Sequence, residues 1–233
     1  MSTPAFYTES VPEPGGQIEL DGKEAWHALG VKRLQPGDAV RIMDGRGAVA
    51  EAVVDSVNGR QSAMLRVVRI EHFPRLQPDI VLASAIAKGD RQSTMLDMAS
   101  QLGITAWQPL DCERSVSKPG KNSYQRWQKI CLEACKQSGS AWLPEILPVL
   151  SPETAARGAM KEGREVLFAH PTGVSADEIT GKKLMLMIGP EGGFTEGEAG
   201  MLEQLGTIRQ GLGKNILRIE TAAISMLAKY RIG

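Results

Sequence analysis

Hydrophobic and polar positions alternate through the first third of the chain and run in unbroken apolar blocks through the rest. The stretches "AVRIMD" (39–44), "AVAEAVVDSV" (48–57) and "SAMLRVVRIEH" (62–72) read as short strands, because apolar positions recur with the period of a sheet that buries one face. Asp44-Gly45 and Asn58-Gly59 separate them, and both dipeptides favour the left-handed turns that close hairpins. A short helix over "KEAWHALGV" (23–31) precedes the strands, and "RLQPGD" (33–38) forms a turn into the first.

Pro74 and Pro78 in "FPRLQP" (73–78) interrupt helix and strand ladders alike, which makes this segment the predicted linker. After it the rhythm changes. "DIVLASAI" (79–86) is a continuous apolar strand, "DRQSTMLDMASQLG" (90–103) a helix ended by Gly103, and "TAWQPL" (105–110) a strand. "NSYQRWQKICLEACKQSG" (122–139) is a long helix ended by Gly139, and "EVLFAH" (165–170) a further strand. Strands of unbroken hydrophobicity alternating with helices predict a parallel sheet covered on both faces. The expected class is α/β, with a β-rich domain over 1–73, a linker over 74–78 and an α/β domain over 79–233.

Ligands of such sheets collect outside the carboxyl ends of the strands. Three strand ends there are rich in glycine or proline: "FAHPTG" (168–173), "IGPEGG" (188–193) and "GLGKN" (211–215). Gly189, Gly192 and Gly193 allow backbone angles barred to other residues and let a ligand reach main-chain groups that a Cβ would screen. A glycine turn entering a helix also suits phosphate, but neither the GxxxxGK[ST] nor the GxGxxG spacing is present. A plain turn is the third reading: Thr195 and Glu198 form a capping box for the next helix, although this leaves the three glycines and Glu191 without a reason. In "LGKNILRIETAAI" (212–224), Arg218 and Glu220 open the C-terminal helix, and by themselves read equally as a surface ion pair.

Composition adds bounds rather than chemistry. The chain has 233 residues and is 42% hydrophobic, enough for a real core. Its 27 basic and 27 acidic residues cancel, so nucleic-acid binding would require local clusters. Cys112, Cys131 and Cys135 lack the paired spacing of a zinc site, and buried thiols in a reducing, cytoplasmic setting are expected. No apolar run approaches the roughly 20 residues of a membrane span, so no membrane partner is expected.

Taken together, "LMLMIGPEGGFTEGE" (184–198) and "LGKNILRIETAAI" resemble the C-terminal signatures of the RsmE family. These are methyltransferases acting on N3 of a uridine near the 3′ end of 16S ribosomal RNA. The similarity extends in order through "VKRLQPGD", "DGRG", "AKGDR", "QLGITAWQPL", "ERSVSK", "RWQKICLEACKQSG" and "LPEI". It implies an N-terminal PUA-like β-barrel, followed by a SPOUT α/β domain with a deep C-terminal trefoil knot. It further implies S-adenosylmethionine as methyl donor with no metal, 16S rRNA in the small ribosomal subunit as partner, and a homodimer. Under this resemblance the donor is held by His170 and Pro171, by Ile188, Gly189, Pro190, Glu191, Gly192 and Gly193, and by Leu212, Gly213, Ile216, Leu217, Arg218 and Thr221. The dimer interface would explain the small apolar face Ala222, Ala223, Ile224, Leu227 and Ala228.

Arg218 and Glu220 are the expected catalytic pair. Uracil N3 is a poor nucleophile until its proton leaves, so stabilising the anion assists transfer. Arginine stays protonated and suits that charge role rather than proton removal, with Glu220 orienting it and Glu191 or His170 relaying a proton. Lys32, Arg33, Arg41 and Arg46, together with Arg114, Lys118, Lys121 and Arg126, are the expected RNA contacts; Arg60, Lys129 and Lys136 extend the same basic character. Trp107, Trp127 and Trp142 read as core residues.

Several positions depart from the family pattern: Lys214 and Asn215 before "ILR", Ile219 for threonine, and Ser140, Gln101 and Met98 elsewhere. Two alternatives therefore stand beside this substrate: a SPOUT enzyme for another RNA site, and a knotted RNA-binding protein without transferase activity.

Overall fold

The computed structural model describes residues 3–174 and 181–232. Clustering of its backbone contacts divides the chain into two units, one of 1–75 with 135–143 and one of 76–134 with 144–233.

The first unit is built on a five-stranded sheet in the order β1-β3-β4-β5-β2. Its strands are β1 (Ala5–Tyr7), β2 (Gln17–Leu20), β3 (Ala39–Met43), β4 (Ala48–Asn58) and β5 (Ser62–His72). Three of them fall where the alternation predicts. The β4–β5 hairpin turns at Asn58 and Gly59, with Asn58 opposite Ser62, and Gly59 takes the left-handed φ of 55° that a side chain resists. Asp44 organises the β3–β4 turn through its carboxylate, which accepts from the amides of Arg46 (2.7 Å) and Ala48 (3.0 Å). The expected helix at 23–31 is one α-helical turn, α1 (Gly22–Ala25), continued by π-helical turns over Trp26–Val31. Phe6, Leu20, Ile42 and Leu65 are fully buried at its core.

Residues 135–143 complete this unit. Cys135 and Ala141 are buried with Met43 and Val49, and Gly47 (φ 105°) has no room for a Cβ because the Trp142 ring stands 2.6 Å from that position. Lys136 turns inward: its side chain is only 5% exposed and its Nζ donates to Glu24 at 2.9 Å. It therefore leaves the solvated basic stripe to which its position in the sequence assigns it.

The second unit holds a six-stranded sheet in the order β11-β9-β10-β6-β7-β8, every pair parallel. The strands are β6 (Asp79–Ala85), β7 (Ala106–Leu110), β8 (Glu145–Ile146), β9 (Glu165–Val174), β10 (Lys183–Ile188) and β11 (Ile208–Gln210). The helices are α2 (Asp90–Gln101), α3 (Ser123–Ser138), α4 (Pro152–Lys161), α5 (Glu196–Gln204) and α6 (Ile219–Arg231). The expected α/β class and parallel sheet are found. Leu82, Leu167, Leu186, Trp107 and Phe168 are wholly buried in its core, and Trp107 is further fixed by donating to Ser84 Oγ at 2.9 Å.

Helix α6 packs on α2, β6 and β10. Ala222, Ala223 and Leu227 are thus buried by the chain's own core. Ile224 and Ala228 of the same helix are half-buried. Cys112, Cys131 and Cys135 are buried thiols, as expected.

Candidate functional site

A single cavity of about 370 Å³ gathers all three glycine- and proline-rich segments, a volume suited to a small organic ligand. β9 contributes Ala169, His170 and Pro171; the segment after β10 contributes Gly189 to Gly193; and the segment after β11 contributes Leu212, Gly213, Asn215, Ile216 and Leu217. Ile188, Ile219 and Ala222 complete the lining.

The first wall is not a loop after a strand, as the sequence suggests, but an excursion within one. Phe168 pairs with Arg209, yet the next partner, Gln210, lies opposite Val174, so 169–173 bulge out between two ladder rungs. Gly173 and Gly211 close the bulge: a Cβ on either would overlap the other segment's backbone. Within it, His170 Nδ1 accepts from the Thr172 amide at 3.2 Å, which places the proton of the neutral ring on Nε2. Burial, and then the Arg209 guanidinium, push the imidazole below its ordinary range. Arg209 also donates to Thr172 Oγ1 at 2.7 Å.

The middle wall is a turn closed by Gly193 N donating to Pro190 O at 2.8 Å. Gly193 takes a φ of 69°, and a Cβ on Gly189 would stand 2.9 Å from the Phe194 nitrogen. The expected capping box follows: the Glu198 amide donates to Thr195 Oγ1, and the Thr195 amide to Glu198 Oε2 at 2.8 Å. The second oxygen of Glu198 has a further task, accepting from the Glu113 amide at 2.9 Å. Beside it, Arg114 Nη1 donates to the carbonyls of Gly192 (2.6 Å) and Phe194 (3.5 Å). Cys112 lies close by, its thiol pushed up to about 12 by burial and then by Glu198.

The last wall begins firmly and continues unpinned. Gln210 is fully buried and accepts from the Tyr230 hydroxyl at 2.7 Å. From Leu212 to Leu217 no hydrogen bond forms with the described residues, and Ile216 is 90% exposed. Arg218 occupies the N-cap position of α6. Its guanidinium is exposed and has no ion pair or hydrogen bond among the described residues.

The cavity thus brings together twelve of the fourteen positions expected to hold a cofactor; Arg218 and Thr221 do not line it. Glu220 is also outside it and faces Arg91, at 3.9 Å, rather than Arg218. The pairing expected between Arg218 and Glu220 is replaced by one across α2 and α6. Ala169, Asn215, Ile219 and Ala222 are lining residues that the motif match omits.

The basic residues are dispersed. Arg114 is engaged with the middle wall, Arg126 donates to Ser93 Oγ at 2.9 Å and faces Asp90, and Lys118 stands 3.8 Å from Asp111. Lys32 and Lys121 are exposed. In the first unit Arg46 donates to the Glu9 carbonyl at 3.0 Å, and Arg41 lies 3.2 Å from where a Gly139 Cβ would stand. Arg33, in a left-handed conformation with φ 58°, lines with Arg60 a second cavity whose wall carries no carboxylate. Among the described residues no cluster of His, Cys, Asp or Glu is arranged for a metal ion.

Comparison with known proteins identifies the class. Residues 74–231 match the RNA methyltransferase domain family, and residues 20–68 the RNA methyltransferase PUA domain. The chain is 30% identical to ribosomal RNA small subunit methyltransferase E of Mycobacterium bovis over 94% of its own length and 87% of the relative's. A Neisseria gonorrhoeae protein of that same name, solved bound to S-adenosylmethionine, superposes with a TM-score of 0.89, 30% identity and coverage of 98% and 96% of the two chains. A Legionella pneumophila protein solved with the same molecule gives a TM-score of 0.90 at 28% identity, covering 100% and 98%. The chain belongs to the ribosomal RNA small subunit methyltransferase E family.

Proposed function

We propose that this protein transfers a methyl group from S-adenosylmethionine to N3 of a uridine near the 3′ end of 16S rRNA. The observation that carries the reading is the cavity, where three segments separated in sequence converge on a glycine-rich wall.

The lining fits such a donor. Ile188, Leu212, Leu217 and Ala222 offer apolar surface for an adenine ring, and Gly193 and Gly213 have only open space where a Cβ would stand. The main-chain groups around Gly213, which make no hydrogen bond with the described residues, are the ones open to the ligand's polar groups. His170, with its Nε2 proton, adds a neutral donor, and Glu191 an exposed carboxylate. The chemistry supplied by the donor is a methyl group on a sulfonium, electrophilic without further activation.

What the chain's own residues must do is make uracil N3 nucleophilic. Arg218, an arginine between the lining residues Leu217 and Ile219 and uncommitted among the described residues, is the group we assign to stabilise charge developing on the uracil carbonyl oxygens. Glu191, on the cavity wall, is the group suited to accept the N3 proton. His170 is a poorer acceptor, because Nδ1 is already occupied and Nε2 carries the proton.

RNA contacts in this reading come from Arg33 and Arg60 around their carboxylate-free cavity, from Lys32, Arg41 and Arg46, and from Lys118, Lys121 and Arg126. We further propose the homodimer, the trefoil knot and cytoplasmic residence that the family resemblance implies. Ile216, apolar and 90% exposed at the cavity rim, is the feature that a second chain would best explain.

The test is methyl transfer to small ribosomal subunits lacking the modification, with the product base mapped by mass spectrometry. A single 3-methyluridine near the 3′ end is expected. A mark on another nucleotide would replace the substrate assignment, and binding of the subunit without transfer would favour a non-catalytic RNA-binding protein.

A further inference from the structure

Arg114 stands out because its position in the sequence and its position in the structure suggest different work. In sequence it opens a basic stretch with Lys118 and Lys121. In the structure its guanidinium lies against the outside of the Gly189–Gly193 wall, donating to Gly192 O at 2.6 Å and Phe194 O at 3.5 Å. The absence of a Cβ on Gly192 allows this approach, since one would stand 3.2 Å from Arg114 Cδ. The neighbouring residue is secured from the opposite direction, the Glu113 amide donating to the buried carboxylate of Glu198. Residues 113 and 114 therefore form a strap from the segment after β7 to the segment after β10.

The strap acts on one peptide group. The Gly192 carbonyl accepts from Arg114, while the amide of the same peptide, on Gly193, donates to Pro190 O at 2.8 Å. A peptide held at both ends cannot rotate without losing both bonds, one of them charge-assisted. Without the guanidinium, two glycines in succession leave that peptide with many alternatives.

We propose that Arg114 is a positioning residue for the methyl-donor site, fixing the Gly192–Gly193 peptide so that the wall is formed before the ligand arrives. The proposal rests on the reading of the cavity as the donor site. Pre-forming the wall lowers the ordering cost of binding. Its removal should weaken the donor's affinity and raise its KM, with kcat and the KM for RNA changing less.

Two measurements separate this from its rivals. Amide hydrogen exchange of the ligand-free protein reads the strap alone: Arg114→Ala should speed exchange at Gly193 at least several-fold, with the core strands unchanged. Calorimetric titration with S-adenosylmethionine reads its consequence. Arg114→Ala should raise Kd about 3- to 10-fold, the loss of roughly one solvent-exposed hydrogen bond, and Arg114→Lys should restore part of it. Unchanged exchange at Gly193 would overturn the strap whatever the ligand. Faster exchange with unchanged donor affinity, and a loss confined to RNA binding, would overturn the positioning role while leaving the donor site in place. Failure of the wild-type protein to bind would instead refute the cavity assignment, with the exchange result still deciding the strap.

Discussion

The segments Gly189 to Gly193 and Leu212 to Leu217 line one cavity and are held in opposite ways. The first is closed by its own turn bond, anchored by a capping box and strapped by Arg114. The second makes no hydrogen bond with the described residues and leaves Ile216 exposed. One wall is thus held by hydrogen bonds and the other only by the packing of Leu212 and Leu217 on the core. Under the proposed reading of the cavity as the donor site, this division assigns recognition of the donor to the pinned side.

Substitutions can break or sharpen that contrast. Arg218→Ala, at the end of the unpinned segment, should lower turnover about 10²- to 10³-fold, the usual cost of losing one charge-stabilising donor. Donor affinity and melting temperature should stay close to wild type. Steady-state kinetics with calorimetry checks this, and unchanged turnover removes Arg218 from the mechanism.

Gly189→Ala should act on the pinned side through structure. Its Cβ would press on the Phe194 nitrogen at 2.9 Å, an overpacking that costs about 1–3 kcal/mol in urea unfolding. Donor binding should fall with it. A variant with wild-type stability and affinity would show the pinned wall to be more tolerant than its geometry implies.

Ile216→Ser should leave chain stability within about 0.5 kcal/mol, as for other exposed positions, while weakening donor binding a few-fold. Comparable loss of stability would mean that the last segment is fixed after all, and the contrast would fail. Sedimentation of the same variant reports whether Ile216 also serves self-association.

The smallest effect belongs to the first wall. The imidazole of His170 is depressed by burial and then by Arg209, so the unfolded chain binds its proton more readily than the folded one. This contribution to stability is complete above the ordinary value of 6.5 and declines as pH falls below it, toward the lower folded value. His170→Gln should flatten the pH dependence in that window only. An NMR titration showing the imidazole at or above 6.5 would contradict the assignment.

Legibility in the sequence followed the range of the interaction. The β4–β5 hairpin is readable because alternation and Asn58-Gly59 are local, and the parallel sheet because β6 and β10 each carry an apolar run, Ile80 to Ala83 and Leu184 to Ile188. β1, β2 and β8, at 3, 4 and 2 residues, are too short for any period to register. Helix α4 carries only a local start signal, with Ser151 accepting from the Thr154 amide and Pro152 in the first turn.

At the site, the glycines and the capping box were legible, but their partners were not. Arg114 reaches Gly192 across 78 positions, and Glu113 reaches Glu198 across 85. A lysine such as Lys136 looks solvated until Glu24, 112 positions away, folds against it. The close passage of Gly173 and Gly211 is equally invisible, since each is an ordinary glycine until the β9 bulge brings them together.

The central claim is that the glycine-walled cavity holds the methyl donor, and one titration tests it most directly. Calorimetry of the wild-type protein with S-adenosylmethionine should show saturable binding that Gly189→Ala weakens strongly and Ile216→Ser only a few-fold. Absence of saturable binding, or identical affinity in all three proteins, would contradict it.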